Sequence, residues 1–394
     1  MLEASLAERE AWTDEVCAYG NNFIEQIDKG PVYTHSEDEL APLIALDFQE
    51  NKRSLTELMD LIGTTIDGTG INPASPRHLG YVPGGGVYPS ALGDYLAGVS
   101  NRYAGIFYAN PGAVYLEDKC VRWMAKLIGY PENSAGHLSS GGSIATLTAI
   151  TAARDHHQIV PENVRNQVIY LTRQAHHCIL KALRLTALDY AQIRFIPTND
   201  LYQMEINALR DQINADRNNG LQPFLIVGSA GSTDTGAIDP FDEMAEVAQL
   251  HGCWFHIDAA YGGFFMLVEK MRQKFQGIDR SDSIVLDPHK GLFLAYGTGA
   301  VVIKDRQAAL KTHYYQANYM QDAYGDYSVL NPADISPELT KHFRGMRMWL
   351  SLQLFGIAPF RAALEEKLIL AQYFHEEVQK IGFSVGPTPS LSVC

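Results

Sequence analysis

The sequence predicts an α/β protein: a mostly parallel sheet with helices on both faces, preceded by an N-terminal helical layer. Three observations carry this. From Gln167 onward, short apolar runs alternate with amphipathic stretches of helical period, the pattern of βαβ units. Each apolar run is short, as expected of a strand rather than a helix. Polar residues follow them directly, where open α/β sheets bind their ligands. The chain, 394 residues and 46% hydrophobic, is ample for a large core and too long for one simple domain.

The elements follow in order. Leu6, Val16, Tyr19, Phe23 and Ile27 recur near helical spacing across residues 2–28, and Gly30-Pro31 ends that run. A second helical pattern covers residues 37–66, with Pro42 interrupting its start. Residues 67–90 are rich in glycine and proline and read as loop. Val114, Val121, Met124, Leu127 and Ile128 predict a helix, and an Ala/Thr/Leu run to Arg154 predicts the next. Strands are expected at 167–171, 192–196, 223–230 and 253–258, with helices at 176–187, 203–217 and 240–250 between them. Residues 297–303 read as a returning strand, and Leu350 to Lys380 as helix. Residues 383–394 look like one more strand.

Composition limits function. A formal charge of −14 argues against a nucleic-acid or anionic-membrane partner. There is no signal-peptide pattern at the start and no apolar run near the ~18 residues that span a bilayer. The five cysteines are scattered without CxxC spacing, which suits free thiols in a reducing cytoplasm and neither a disulfide frame nor a zinc site. His176-His177 has no further His or Cys at ligand spacing, so no metal is expected.

The stretch with the most chemical content runs from His256-Ile257-Asp258-Ala259-Ala260-Tyr261-Gly262-Gly263 to Asp287-Pro288-His289-Lys290-Gly291. Each half reads as a strand that delivers polar groups at its carboxyl end: Asp258 from one, His289 and Lys290 from the other. A lone lysine after a turn is ordinarily a surface residue. A lysine amine can also form a Schiff base with an aldehyde, and pyridoxal phosphate is held in that way, with an acidic partner on its ring nitrogen. A further turn, Ser139-Ser140-Gly141-Gly142-Ser143, opens a helix. It is compatible with a plain helix cap and with a phosphate site at the positive end of the helix.

Taken together these motifs resemble the PLP-dependent (group II) amino-acid decarboxylases of the aromatic-L-amino-acid decarboxylase type, which have fold type I, the PLP-dependent transferase-like fold. The resemblance runs from about Pro76 to the last residue. It implies a cofactor, pyridoxal 5′-phosphate, carried by Lys290, with Asp258 on the ring nitrogen, Ala260 against the ring face and His289 near the phosphate. It implies that Gly142 and Ser143, with Thr146 less directly, hold the phosphate, that His176 stacks on the ring, and that Thr233 hydrogen-bonds near the cofactor. Ser75–Tyr81, with His78 and Tyr81, resembles the substrate entrance, and Phe107 the aromatic substrate wall. Tyr319 matches the tyrosine of the family's mobile lid, which protonates the substrate Cα, although Tyr315 and Tyr324 lie close by. Arg344 is the better match of two arginines in His342–Trp349. Gly291 stands where many members have Trp, and His177 where they usually have Ser.

The expected organisation is an N-terminal helical segment (1–75), a large PLP-binding α/β domain (76–334) and the start of a small C-terminal domain (335–394), so the chain looks truncated. The expected function is decarboxylation of an L-amino acid, aromatic by preference, to its amine by a cytoplasmic homodimer. The alternatives are another PLP-dependent lyase or aldehyde synthase, or a catalytically impaired protein of the same fold.

Overall fold

The computed structural model describes residues 3–82, 84–314 and 329–394, which fall into two units, Met1–Gly85 and Gly86–Cys394. In the first unit, Ser5 and Glu8 form a capping box that opens α1 (Leu6–Gln26). A two-residue strand β1 (Tyr33–Thr34) is followed by α2 (Glu37–Ile44) and α3 (Leu55–Ile62), and β2 (Gly70–Ile71) pairs antiparallel with β1. The helical pattern expected over 37–66 is therefore two helices and a π-helical turn at Gly63–Asp67. Pro42 lies inside α2 rather than breaking it. The break comes at 45–54, where Ser54 caps α3 with Glu57.

The second unit begins with α4 (Tyr88–Ser100), a helix inside and beyond a stretch that reads as loop, with Pro89 in its first turn. Asn110 accepts a hydrogen bond from the Ala113 N–H at 3.1 Å and opens α5 (Pro111–Ile128), which left-handed Gly129 closes. There follow β3 (Ala135–Ser139), α6 (Gly142–His156), β4 (Gln167–Thr172), α7 (His177–Leu185), β5 (Gln192–Ile196), α8 (Ile206–Asn218), β6 (Gln222–Ser229), α9 (Phe241–His251), β7 (Trp254–Asp258) and β8 (Ser283–Leu286). After them come α10 (Pro288–Gly291), β9 (Gly299–Ile303), α11 (Arg306–His313), α12 (Gly345–Phe355) and α13 (Ala358–Lys380). The long helix expected over 350–380 is split by Gly356, whose φ of +68° leaves the helical region.

Among the described residues seven strands form one sheet in the order β3-β9-β8-β7-β6-β4-β5. The five central and outer strands from β8 to β5 run parallel, while β9 is antiparallel to both β8 and β3. Phe224–Val227, Trp254–Ile257 and Ile284–Leu286 are all buried, so both faces of the central strands are covered. Helix α6 packs against β8 and β9, and α8 and α9 against β6. This is the predicted α/β architecture. Residues 383–394 form no strand, because no neighbouring strand among the described residues pairs with their backbone groups. Instead Leu391 is buried, and Ser392 bonds to the Tyr261 hydroxyl through its N–H at 2.8 Å.

A buried ion pair lies where α5 meets β3. Lys341 Nζ lies 2.5 Å from Glu117 Oε1, with both side chains essentially inaccessible, and the Leu138 N–H donates to the same oxygen at 3.0 Å. Removing one member leaves an uncompensated buried charge. Lys341→Met should therefore cost roughly 3–5 kcal/mol in chemical denaturation, and adding Glu117→Gln should recover at least half of it. His256 on β7 is also fully buried. Its Nδ1 bonds to Ser283 Oγ at 2.9 Å, and burial pulls its pKa from about 6.5 down to about 4. A histidine depressed in this way contributes stability that is present above its unfolded pKa and is lost as pH falls through the folded one. Stability should drop by about 3 kcal/mol between pH 6.5 and 4 from this residue, and His256→Gln should flatten that part of the profile.

Candidate active site

The site lies beyond the carboxyl ends of β6, β7 and β8. In parallel register Ser229 is opposite Asp258, and Asp258 opposite Val285. The last residue of β7 and the short turn after β8 therefore open into the same crevice. Asp287 follows β8, and Pro288 fixes the start of α10, which carries His289 and Lys290. A cavity of about 440 Å³ is lined here by Asp258, Ala260, Asp287, His289 and Lys290, and from α6 and its approach by Gly142 and Ser143. His176 and Thr233 line it as well.

The local contacts orient these groups. Asp258 Oδ1 accepts the Ala260 N–H at 3.1 Å, which turns the chain back beneath the carboxylate. Lys290 Nζ lies 3.3 Å from Asp287 Oδ2. His289 Nδ1 donates to the Thr298 carbonyl at 2.7 Å, and its Nε2 lies 3.7 Å from the same Asp287 oxygen. Burial raises the Asp287 pKa, opposed chiefly by Lys290 and His289. His176 caps α7, its Nδ1 accepting the Cys178 N–H at 3.3 Å, and burial lowers its pKa against the pull of Asp258. A ring that accepts at Nδ1 and is pushed away from protonation is a neutral imidazole.

Helix α6 starts at Gly142 with no side chain capping it. Its first residues, Gly142, Ser143 and Ile144, line the cavity at the positive end of a 15-residue helix. A Cβ at Gly142 would come within 2.9 Å of Asp287 Oδ2, so a larger residue here would have to displace the Asp287 carboxylate. Thr146, by contrast, is fully buried with its hydroxyl 3.6 Å from Cys178 Sγ.

The remaining expected residues are distributed differently. His78 and Tyr81 belong to the amino-terminal unit, where their rings stack at 6.2 Å and 30°. Phe107 packs edge-on to Tyr115 at 5.4 Å, and its N–H donates to Asn331 Oδ1 at 2.7 Å. Tyr319 lies outside the described residues, as do Tyr315 and Tyr324. Arg344 forms a two-point pair with Glu338 at 3.0 and 3.1 Å. It is Arg347 that reaches the cavity rim, donating to the Tyr296 carbonyl at 2.6 Å and to Thr298 Oγ1 at 3.2 Å while pairing with Asp94.

Sequence reasoning missed three residues. Tyr296 lines the cavity beside His289, with ring centroids 5.6 Å apart. Asp287 stands in the quoted motif but was given no role. Cys178 was set aside as a scattered thiol. It is buried 3.9 Å from Asp258 Oδ2, and burial and that carboxylate push its pKa up to about 12. His176, Cys178 and Asp258 offer ligand atoms within 4.8 Å of one another. Sequence spacing could not reveal this grouping, because Asp258 arrives from a strand far along the chain.

A family profile for the pyridoxal-dependent decarboxylase conserved domain matches residues 37–384. The chain is 32% identical over 340 residues to the aromatic-L-amino-acid decarboxylase of Bacillus atrophaeus, covering 86% of this chain and 70% of that one. It is 29% identical over 315 residues to a tyrosine decarboxylase of Papaver somniferum, covering 76% and 62%. It thus spans about two thirds of the length of the curated relatives it matches. The crystal structure of Catharanthus roseus tryptophan decarboxylase in complex with L-tryptophan superposes with a TM-score of 0.90 at 23% identity, over 100% of this chain and 84% of that one.

The role of His176 in opening α7 is open to a direct check. His176→Asn keeps a capping acceptor and should leave stability nearly unchanged, whereas His176→Leu should cost about 1 kcal/mol in denaturant unfolding.

Proposed function

The chain belongs to the pyridoxal-dependent decarboxylase family, whose members remove CO₂ from an L-amino acid on pyridoxal 5′-phosphate, and on that premise we propose that this crevice converts an aromatic L-amino acid to its amine. The observation that carries the proposal is the meeting of Asp258 and Lys290 with the first turn of α6 in one cavity. The residues present fit the cofactor: a primary amine for its aldehyde, a carboxylate for its ring nitrogen, and uncapped N–H groups beside a glycine for its phosphate. When bound, pyridoxal phosphate supplies the electron sink for the pair left at Cα as CO₂ departs.

The protein's own groups have separate tasks. Lys290 would hold the cofactor through its primary amine. Asp258 keeps a proton on the ring nitrogen. Ala260 and His176 line the cavity with Asp258 and would pack against the cofactor ring, where an uncharged imidazole would not compete for Asp258. Gly142 and Ser143 receive the phosphate through their N–H groups, with Thr233 and His289 as further polar contacts. His78, Tyr81 and Phe107 are assigned to the substrate side chain, and Tyr319 to the return of a proton to Cα. The preference for an aromatic substrate is supported by the activities that the matched relatives are named for. We assign the protein to the cytoplasm as a homodimer; no described helix is long and apolar enough to cross a membrane. The three-part organisation at 1–75, 76–334 and 335–394 belongs to the same reading.

Borohydride treatment of the protein with pyridoxal phosphate should attach the reduced cofactor to Lys290, read by peptide mapping. CO₂ and amine should form in equal amounts from L-tryptophan or L-tyrosine, and Lys290→Ala should lower the rate by at least ~10³-fold, the scale of losing an acid–base group. Aldehyde with ammonia and peroxide would point to an aldehyde synthase. Cofactor attachment without turnover would point to an impaired member of the family.

A further inference from the structure

Asp287 is a buried acid placed where an anion is to bind. Its side chain is 3% exposed, and Oδ1 has no hydrogen-bond partner among the described residues. It lies between the uncapped first turn of α6 and β9: a Cβ on Gly142 would meet Oδ2 at 2.9 Å, and one on Gly299 would meet Oδ1 at 2.7 Å. The charged groups around it can be named by element. On α10, Lys290 Nζ is 3.3 Å away and His289 Nε2 is 3.7 Å away. From β7, the Asp258 carboxylate opposes it. From α12, the Arg347 guanidinium stops at Thr298 and Tyr296, one step short of Gly299. From α6 there are only backbone N–H groups.

A phosphate ester on that turn brings two negative charges beside a carboxylate that is almost wholly buried. It also competes for Lys290, the cation nearest to Asp287. A buried carboxylate next to a second anion relieves the repulsion by taking up a proton. The neutral acid then offers an O–H donor through the oxygen that now lacks a partner. We infer that Asp287 couples phosphate binding at α6 to proton uptake: it is ionised and paired with Lys290 before a phosphate ester binds, and neutral and hydrogen-bond donating afterwards. The inference rests on the cofactor reading above and adds to it a pH-linked component in this chain's affinity for the phosphate group.

The sign follows from linkage. Binding that takes up one proton weakens about tenfold per pH unit between the carboxyl's pKa before and after binding, and is independent of pH below both. The test uses pyridoxine 5′-phosphate, which has no aldehyde to react with Lys290, and pyridoxine, which has no phosphate. Calorimetry in buffers of different ionisation enthalpy counts protons directly. The work is done above pH 7, beyond the ester's own second ionisation near ~6. For pyridoxine 5′-phosphate we expect uptake approaching one proton per site and an affinity that falls with pH. Asp287→Asn should abolish both and bind the ester at least tenfold more tightly at pH 8, while leaving pyridoxine affinity unchanged, which also reports an intact cavity. Asp287→Ser serves if the asparagine variant does not fold. Equal proton uptake and equal pH slope in the wild type and the variants would overturn the inference while leaving the cofactor reading in place. Failure of both ligands to bind any of the proteins, together with no borohydride labelling of Lys290, would overturn both.

Discussion

Parallel pairing of β6, β7 and β8 is the constraint on which the site depends. Strands that run side by side in one direction end side by side, so whatever follows each of them opens at the same edge. Asp258 ends β7, and Asp287 and Lys290 follow β8. The antiparallel return of β9 brings Thr298 and Gly299 back alongside, and the Thr298 carbonyl then anchors His289. Reversing one strand would send its polar end to the opposite edge of the sheet and dissolve the constellation.

Burial then decides how those groups behave. The crevice is framed by buried, largely apolar strands, so its few charges interact more strongly than they would in water. Loss of solvation disfavours the charged forms of His176, the Cys178 thiol and Asp287; the Asp258 charge adds to this at Cys178, whereas Asp258 opposes it at His176 and Lys290 opposes it at Asp287. The Glu117–Lys341 pair, on the far side of β3, obeys the same physics with a structural result: two charges sealed together hold α5, β3 and the approach to α12 in one arrangement.

Much of this was legible in one dimension. The alternation of apolar runs and helical periods identified β4 through β7 and the helices between them to within a few residues, because strand and helix impose different local periods whatever their neighbours are. The motif residues Asp258, Ala260, His289, Lys290, Gly142 and Ser143 were legible as a set and do line one cavity. Helix α4 was missed because its glycines and prolines resemble those of the preceding loop, and the final segment was misread because a strand exists only when another strand pairs with it. Sequence resemblance favoured Arg344, whereas the fold pairs Arg344 with Glu338 and sends Arg347 to Tyr296 and Thr298, a difference that only the packing of α12 decides.

By itself, then, the sequence determined which segments are strand and helix in the sheet region, where the polar strand ends fall, and which family the chain resembles. These are properties of local period and residue type. The tertiary structure alone decided what those ends meet: Cys178 against Asp258, Asp287 between Lys290 and the first turn of α6, and Tyr296 beside His289. Such contacts join residues from separate strands and helices, so they depend on strand order and direction, and no spacing along the chain encodes them.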